Sequence, residues 1–330
     1  VQREGEVQMR IVLDPWGSDY ASQFAVPVEI DNDSSVQALE ERIEERPWEP
    51  VPLRQVALPA MTAVVDGVMR SDASAMVMEG QRRALALFGC YATGAVVINS
   101  QVQVMQEGVV RLFIAGGNWS EPQNVYVSSG DTASLCYQGQ SSQADSYDSL
   151  REDLMKAMRQ SEARVAETLP AEDSLILADG NLTFNRDSSS VVGVIKTIHR
   201  MYLSAKKAAI LERLRPGERT PLFRIVGGRK GDAYNVFTCY LRLAQPQLIE
   251  LPFAGVVRLE VKEKLGPQRA VALLEQAAMQ VCALASRPPK DPRAPQNLIP
   301  VGGLERHLRH RLGDAQLVLR RIKNTLRAMI

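Results

Sequence analysis

The chain has 330 residues, of which 45% are apolar and 23% charged, and its formal net charge is +1. This composition is typical of a globular protein with a sizeable core, and it excludes a disordered chain and a globally basic nucleic-acid coat. No apolar run approaches the ~18 residues of a membrane span, and the first residues lack a signal-peptide pattern. We therefore expect a cytoplasmic protein that does not insert into a membrane.

The first 60 residues are predicted to form an N-terminal arm, separate from a main domain over residues 61–330. An acidic stretch covers residues 31–46, and residues 34–40 within it have the pattern of a capped helix. Prolines at positions 47, 50 and 52 then interrupt the chain. We expect the arm to end before the first buried strand begins.

From residue 61 the pattern alternates between strands and helices, which predicts a mixed α/β fold. A buried strand is expected at 61–65, with further strand-like segments at 73–78, 84–100 and 109–115. The polar stretch at about 117–148 is predicted to be an irregular insertion.

The second half continues the alternation. An amphipathic helix is predicted over residues 149–169, and buried strands over residues 174–178 and 191–195. The remaining predicted elements are helices at 199–215, 267–285 and from about 302 to the end, strands at 222–226, 236–243 and 256–261, and a proline-rich loop at 287–297.

Two of the buried strands are each followed by Asp-Gly, at Asp66-Gly67 and Asp179-Gly180. An aspartate in that position lies at the rim of a sheet, where the backbone fixes its direction, and the glycine lets a ligand or another strand come close. Asp-Gly is also a common turn pair. Two ordinary turn aspartates are therefore the alternative interpretation.

A glutamate falls on the apolar stripe of the helix predicted over residues 149–169. The stripe consists of Met155, Met158, Val165 and Leu169, and Glu162 lies on it at helical spacing. From Glu162 the helix covers about 11 Å and the next strand returns about 13–16 Å, so Glu162 and Asp179 can reach the same rim. A buried glutamate costs free energy unless it is paired or bound to a metal. Pairing with Arg159 or Arg164 is the alternative to a metal.

The available residue types favour a metal held by oxygen atoms. Histidine occurs three times, cysteine four times, and no Cys-x-x-Cys pair is present, which argues against a zinc site. Asp66, Glu162 and Asp179 at one rim would suit one or two hard cations such as Mg²⁺ or Mn²⁺. Such ions can clamp the attacking water and the leaving oxygen of a phosphodiester. Lys196, directly after the strand at 191–195, could hold a phosphate.

The order of these blocks resembles the NurA family, nucleases that work with the HerA translocase. The similarity covers roughly residues 60–310 and includes "LILADGNL", "VVGVIKTIHRMYL" and then "GVVRLEV"; its most specific parts are the ADGNL block of the first and the VVGVIK block of the second. The resemblance implies an RNase H-like mixed sheet flanked by helices and a Mn²⁺-dependent nuclease, with Mg²⁺ as the possible substitute ion. It also implies 5′–3′ exonuclease and single-strand endonuclease activity in DNA end resection, and a nucleoid-associated homodimer docked on a hexameric HerA-type ATPase.

The resemblance assigns metal ligands to individual positions of this chain. Asp66 and Asp179 match the first and the later metal aspartate of the family, and Glu162 is taken as the helix glutamate from the stripe and the distance. In the closing segment "IPVGGLERHL", Glu305 stands at the place of the last ligand, with His307 as its alternative. Asn181 replaces the usual serine after the second Asp-Gly, and Val68 replaces a polar residue after the first.

Arginine and lysine side chains near the rim are the expected DNA contacts. We assign this role to Arg70, Lys196, Arg258 and Arg306, all as contacts to phosphate, which give affinity and salt dependence without sequence choice.

Two other classes of protein fit parts of the pattern. An ATPase of the actin and sugar-kinase type also uses two Asp-Gly turns, and it would need a glycine-rich loop, for which residues 226–232 and 301–303 are candidates. A non-catalytic assembly subunit with an RNase H-like shell is the third reading.

Overall fold

A large mixed β-sheet with helices on both faces organises the chain, as the α/β prediction required. The computed structural model describes residues 10–13, 37–39, 43–128, 134–185, 190–198, 200–227, 234–246, 254–287 and 294–329. The strands are β1 (Arg10–Leu13), β2 (Gln37–Leu39), β3 (Val51–Pro52), β4 (Met61–Glu79), β5 (Arg82–Ile98), β6 (Val102–Ala115), β7 (Val125–Val127), β8 (Leu135–Ser141), β9 (Ser174–Asp179), β10 (Val191–Ile195), β11 (Glu218–Arg219), β12 (Phe223–Val226), β13 (Val236–Arg242) and β14 (Val256–Lys262).

Six helices accompany these strands in the described part of the chain. They are α1 (Tyr147–Thr168), α2 (Ala205–Ala208), α3 (Ile210–Arg213), α4 (Pro267–Leu284), α5 (Ile299–Leu312) and α6 (Ala315–Ala328). None of these helices combines the length and the apolar composition that crossing a bilayer requires.

The strand order is β2-β12-β13-β14-β10-β9-β4-β5-β6-β8-β7. Strands β4, β9 and β10 run parallel in the middle of this sheet, and β5 returns antiparallel along β4. The described strands of the N-terminal segment extend the same sheet, since β1 pairs with β4, β2 with β12 and β3 with β11.

Alternation along β4 assigns its side chains to the two faces of the sheet. Val65 packs with residues of α1 on one face, whereas Val64 packs with residues of α4, and Val68 with residues of α5, on the other. Residues of α6 pack with the far part of the β4–β5 hairpin. Asp66 therefore projects toward the side of α4 and α5, and Gly67 faces α1.

The prediction that the first buried strand ends at Asp66-Gly67 is wrong. Strand β4 continues to Glu79, because β5 pairs with it almost residue for residue, with Asp66 opposite Gly94. The neighbouring strand supplies the hydrogen bonds that a turn would otherwise have provided. The second prediction of this kind is confirmed, since Asp179 is the last residue of β9.

Three further expectations differ from the structure. Residues 37–39 form strand β2 instead of a helix, because the edge of β12 offers an antiparallel partner that overrides a weak local preference; residues 34–36 and 40 lie outside the described residues. The polar stretch at 117–148 contains β7 and β8, and β8 runs parallel to β6 with Tyr137 fully buried. Of the described residues 200–215, only those of α2 and α3 are helical, because Tyr202 and Leu203 pack into the core in a non-helical segment.

Candidate metal centre

Asp66 and Asp179 lie side by side at the centre of the sheet. The parallel register of β4 and β9 pairs Val65 with Ala178, so the two aspartates are the next neighbours across the strands. Adjacent strands are about 4.8 Å apart, and alternation directs both side chains to the face covered by α4 and α5. Asp66 is buried, and 19% of the Asp179 side chain is exposed. The two carboxylates therefore share one site.

Glu162 reaches this site from the opposite face of the sheet. It is a buried residue of α1, on the stripe predicted from the sequence. A Cβ placed on Gly67 would lie 2.6 Å from Glu162 Oε1. Only a glycine leaves room for the carboxylate against the backbone of β4, one residue after Asp66.

Two carboxylate oxygens of the site are buried without any hydrogen-bond donor. They are Asp66 Oδ2 and Glu162 Oε1. Burial, followed by repulsion from Asp179 and Glu162, raises the pKa of Asp66 well above its usual range. Burial raises the pKa of Glu162 to about 7, although the Arg159 charge opposes this shift. Unpaired buried carboxylates cost free energy, so this site holds more negative charge than its protein neighbours neutralise.

Two positively charged side chains, Lys196 and Arg159, contact other oxygens of this site. Lys196 Nζ donates to Asp179 Oδ2 and, over 2.7 Å, to Asn297 Oδ1. Arg159 Nη1 donates to Glu162 Oε2 over 3.2 Å and to the backbone oxygen of Asp179. The pairing of Glu162 with Arg159 was the alternative to a metal, and it involves one of the two Glu162 oxygens while the other stays unpaired. Nothing in the sequence indicated Asn297 as a residue of the site, since it lies at the end of the stretch predicted to be a proline-rich loop.

The donor set fits a hard divalent cation. Asp66, Glu162 and Asp179 supply oxygen atoms, and the two unpaired oxygens are ready acceptors for a metal. No three His, Cys, Asp or Glu side chains among the described residues already form a set that could hold an ion. Asp179 Oδ2 and Glu162 Oε2 already accept from Lys196 and Arg159, so a metal that also used these two oxygens would displace those side chains.

Glu305 and His307 have different places on α5. Glu305 is buried, and its helix neighbours Val301 and Leu308 share core clusters with Val64 and Val68, which lie two residues before and after Asp66 on the same face of β4. This places Glu305 at the level of Asp66, with Arg309 Nη2 3.3 Å from its Oε2. His307 contacts Glu107 of β6 on the surface and does not join the carboxylates.

The four residues predicted to contact DNA fall into two groups. Lys196 lies in the site and Arg306 is exposed on α5. Arg70 instead contacts Asp72 and the carbonyl oxygen of Gly313, at 2.7 and 2.6 Å, and so holds the end of α5. Arg258 is 3% exposed and lies 3.0 Å from Glu260. Arg258 and Glu260 do lie on the same side of strand β14, as the alternation predicts, but this side faces the interior of the protein.

A sequence model of the NurA domain matches residues 96–301 of the chain. The chain belongs to the NurA family. The structure is similar to the crystal structure of the NurA nuclease from Sulfolobus solfataricus, with a TM-score of 0.47, 11% sequence identity, and coverage of 88% of this chain and 91% of that chain. No curated protein matches the sequence.

The segment matched by the NurA domain contains Glu162 and Asp179, whereas Asp66 and Glu305 lie before and after it. It also contains a buried glutamate whose role the sequence did not indicate. Glu260 Oε1 accepts a hydrogen bond of 2.7 Å from the backbone nitrogen of Leu182, and Oε2 accepts one from Tyr234. Glu260 thereby fixes the turn that follows Asp179 in this NurA chain.

Proposed function

We propose that this NurA-family chain is a metal-dependent nuclease that hydrolyses phosphodiester bonds. The observation that carries the proposal is the convergence of Asp66, Glu162 and Asp179, with Asp66 Oδ2 and Glu162 Oε1 buried and unpaired. Carboxylates with strongly perturbed pKa values concentrate at functional sites. A hard cation would supply the missing compensation.

The residues of the chain have separate tasks in this reaction. Asp66, Glu162 and Asp179 would hold the metal, and Glu305 is the proposed further ligand. When bound, the metal lowers the pKa of water and neutralises charge on the phosphate. Lys196 and Arg159 already lie against the carboxylates, so either side chain, once released, is in position to contact a phosphate oxygen and orient the substrate.

The finer assignment follows from family membership. We propose a deoxyribonuclease with 5′–3′ exonuclease and single-strand endonuclease activity, an RNase H-like core, Mn²⁺ as the ion with Mg²⁺ as a substitute, and a role in DNA end resection with a hexameric HerA-type ATPase. A homodimer is part of this proposal. It is supported by the exposed apolar residues of β6, where Val102 is 71% and Val104, Met105 and Val109 are 36–39% exposed.

The alternative functions are less well supported. An ATPase of the actin and sugar-kinase type needs a glycine-rich loop, but Gly302 and Gly303 lie within helix α5. The other candidate loop, at 226–232, is outside the described residues except for its first two. A non-catalytic subunit would give no reason to bury two unpaired carboxylate oxygens.

Digestion of linear DNA labelled at the 5′ or the 3′ end tests the proposal. The wild-type chain should release label with Mn²⁺ or Mg²⁺ and not with EDTA, alone or after addition of a HerA-type ATPase. Asp66→Asn should abolish cleavage and weaken Mn²⁺ binding measured by calorimetry. Glu167→Gln is the matched control, because Glu167 is an exposed carboxylate on α1. Cleavage by Asp66→Asn at the wild-type rate would refute the site assignment.

A further inference from the structure

The last two helices carry a concentration of positive charge. Residues 299–329 contain seven arginine or lysine residues and two acidic residues, in a chain whose net charge is only +1. The rest of the chain is therefore net negative. Within the described residues no ion-pair partner is seen for Arg306, Arg320, Lys323 or Arg327, all of which are exposed. This surface offers cations that the fold does not use.

The charge on α6 is confined to one face. Val318, Ile322 and Leu326 are buried against the sheet, and Arg320, Lys323 and Arg327 recur at helical spacing on the opposite side. On α5, Arg306 follows the buried Glu305 directly and points away from the core. The outward sides of the two helices together form a basic surface, which we call the α5–α6 face.

The α5–α6 face leads away from the candidate metal centre along the β4–β5 hairpin. Residues of α5 pack with Val68 near Asp66, whereas residues of α6 pack with β4 between Ala73 and Val77. The two helices therefore lie one after the other over the same strand. From Asp66 to Val77 a strand spans about 36 Å, which equals about ten base pairs at ~3.4 Å each.

We propose that the α5–α6 face binds the backbone of duplex DNA over about one helical turn next to the carboxylate site. This inference rests on the proposed nuclease function. Arginine and lysine without partners suit phosphate, and they carry no sequence information. The sequence of both helices lacks Phe, Tyr and Trp, the side chains that stack on unpaired bases in single-strand sites. Backbone contact with a duplex is the mode that remains.

The test is the binding of a fluorescent 20-base-pair duplex in EDTA, which prevents cleavage. The combined variant Arg320→Gln, Lys323→Gln and Arg327→Gln should raise the Kd at least about tenfold at low salt and reduce the slope of log K against log salt by about 2–3. The matched control, Lys206→Gln with Arg213→Gln and Arg215→Gln, removes three exposed charges near α2 and α3 and should change neither. The combined substitutions should weaken binding of a six-base-pair duplex less than binding of the 20-base-pair duplex.

Other results would overturn the inference. These are wild-type protein that does not bind the duplex, a combined variant that binds like wild type, or a control variant that loses as much affinity as the combined variant. A different measurement shows whether the nuclease proposal itself fails. Asp66→Asn should still bind the duplex, and if it also still cleaves DNA, the site assignment fails while the α5–α6 face stands.

Discussion

Two buried glutamates in this protein have opposite environments. Glu44 accepts two hydrogen bonds from Arg219, at 2.8 and 2.9 Å, and a third from the backbone of Leu222. Burial alone would raise the pKa of Glu44, but the hydrogen bonds and charge of Arg219 lower it. Glu162 is as deeply buried, yet one of its oxygens has no donor and its pKa is raised to about 7. One glutamate is satisfied by the fold and the other is not.

The difference separates a structural ion pair from a candidate ligand site. Both cases remove a carboxylate from water, which costs several kcal/mol per ion. The Glu44–Arg219 pair offsets that cost through two parallel hydrogen bonds, which join the N-terminal segment to the main sheet. Asp66 Oδ2 and Glu162 Oε1 have no such partner in the protein, and this is why we propose that a ligand compensates their charge.

The largest expected effect is loss of stability at the satisfied pair. Glu44→Gln should lower the free energy of unfolding by about 3–5 kcal/mol, because Arg219, only 1% exposed, would keep a buried charge without its main counter-charge. Glu45→Gln is the control, since Glu45 is the exposed neighbour and should change stability by less than about 0.5 kcal/mol. Urea denaturation measures both. If Glu44→Gln and Glu45→Gln lowered the free energy of unfolding equally, the Glu44–Arg219 pair would not be a stabilising ion pair.

The second effect is on catalysis at the unsatisfied site. Glu162→Gln should reduce the cleavage rate at least about 100-fold, because residues that merely orient metal ligands already cost 10- to 100-fold. In EDTA the same variant should be at least as stable as wild type, since it removes a poorly compensated charge. Rate assays with Mn²⁺ and thermal melts in EDTA check the two parts. A variant that is inactive because it is unfolded would contradict the second part.

Local periodicity in the sequence predicted the helix that carries Glu162 and the strand that ends at Asp179. Glu162 lay on the apolar stripe of α1, and Asp179 at the end of an apolar strand, so each side chain was placed by an element that is strongly periodic. The predicted order of strands and helices from residue 149 onward agrees with the described residues, apart from the short helices near 205–213 and the short strand β11, which was not predicted.

Non-local pairing explains what the sequence did not reveal. The continuation of β4 through Asp66-Gly67 depends on β5, and the strand at 37–39 depends on β12. The network of Glu260 with Leu182 and Tyr234 joins residues far apart in the chain. Burial of Arg258 follows from the same packing, which no local pattern reports.

The third effect is a pH dependence of opposite sign at the two glutamates. The pKa of Glu162 is about 7 in the folded protein and 4.5 as the reference value. Between these two values the folded state holds a proton that the unfolded chain has released, so stability falls as the pH rises from about 4.5 to about 7 and changes little above that. In EDTA, the free energy of unfolding of Glu162→Gln should therefore exceed that of wild type by on the order of 2 kcal/mol at pH 8, and this difference should shrink as the pH falls and vanish below about pH 4.5. Glu44, with a lowered pKa, stabilises above its unfolded pKa and loses that contribution in acid. Denaturation at several pH values checks both signs, and a difference that is constant with pH would contradict the assignment.

The smallest effect concerns the room that Gly67 leaves for Glu162. In Gly67→Ala the new Cβ would lie 2.6 Å from Glu162 Oε1 and 3.0 Å from both Met158 Cγ and Thr93 Cγ2, so the carboxylate must move away from Asp66. We expect about tenfold weaker Mn²⁺ binding. Gly89→Ala is the matched control, because its Cβ would meet Leu154 of the same helix at 2.5 Å and disturb packing without touching a carboxylate. Calorimetric titration with Mn²⁺ should show weaker binding for Gly67→Ala only, whereas melting temperatures should fall for both. If Gly89→Ala weakened Mn²⁺ binding equally, the effect would come from displacement of α1 as a whole, and the close approach of Glu162 to β4 would not be what sets the metal affinity.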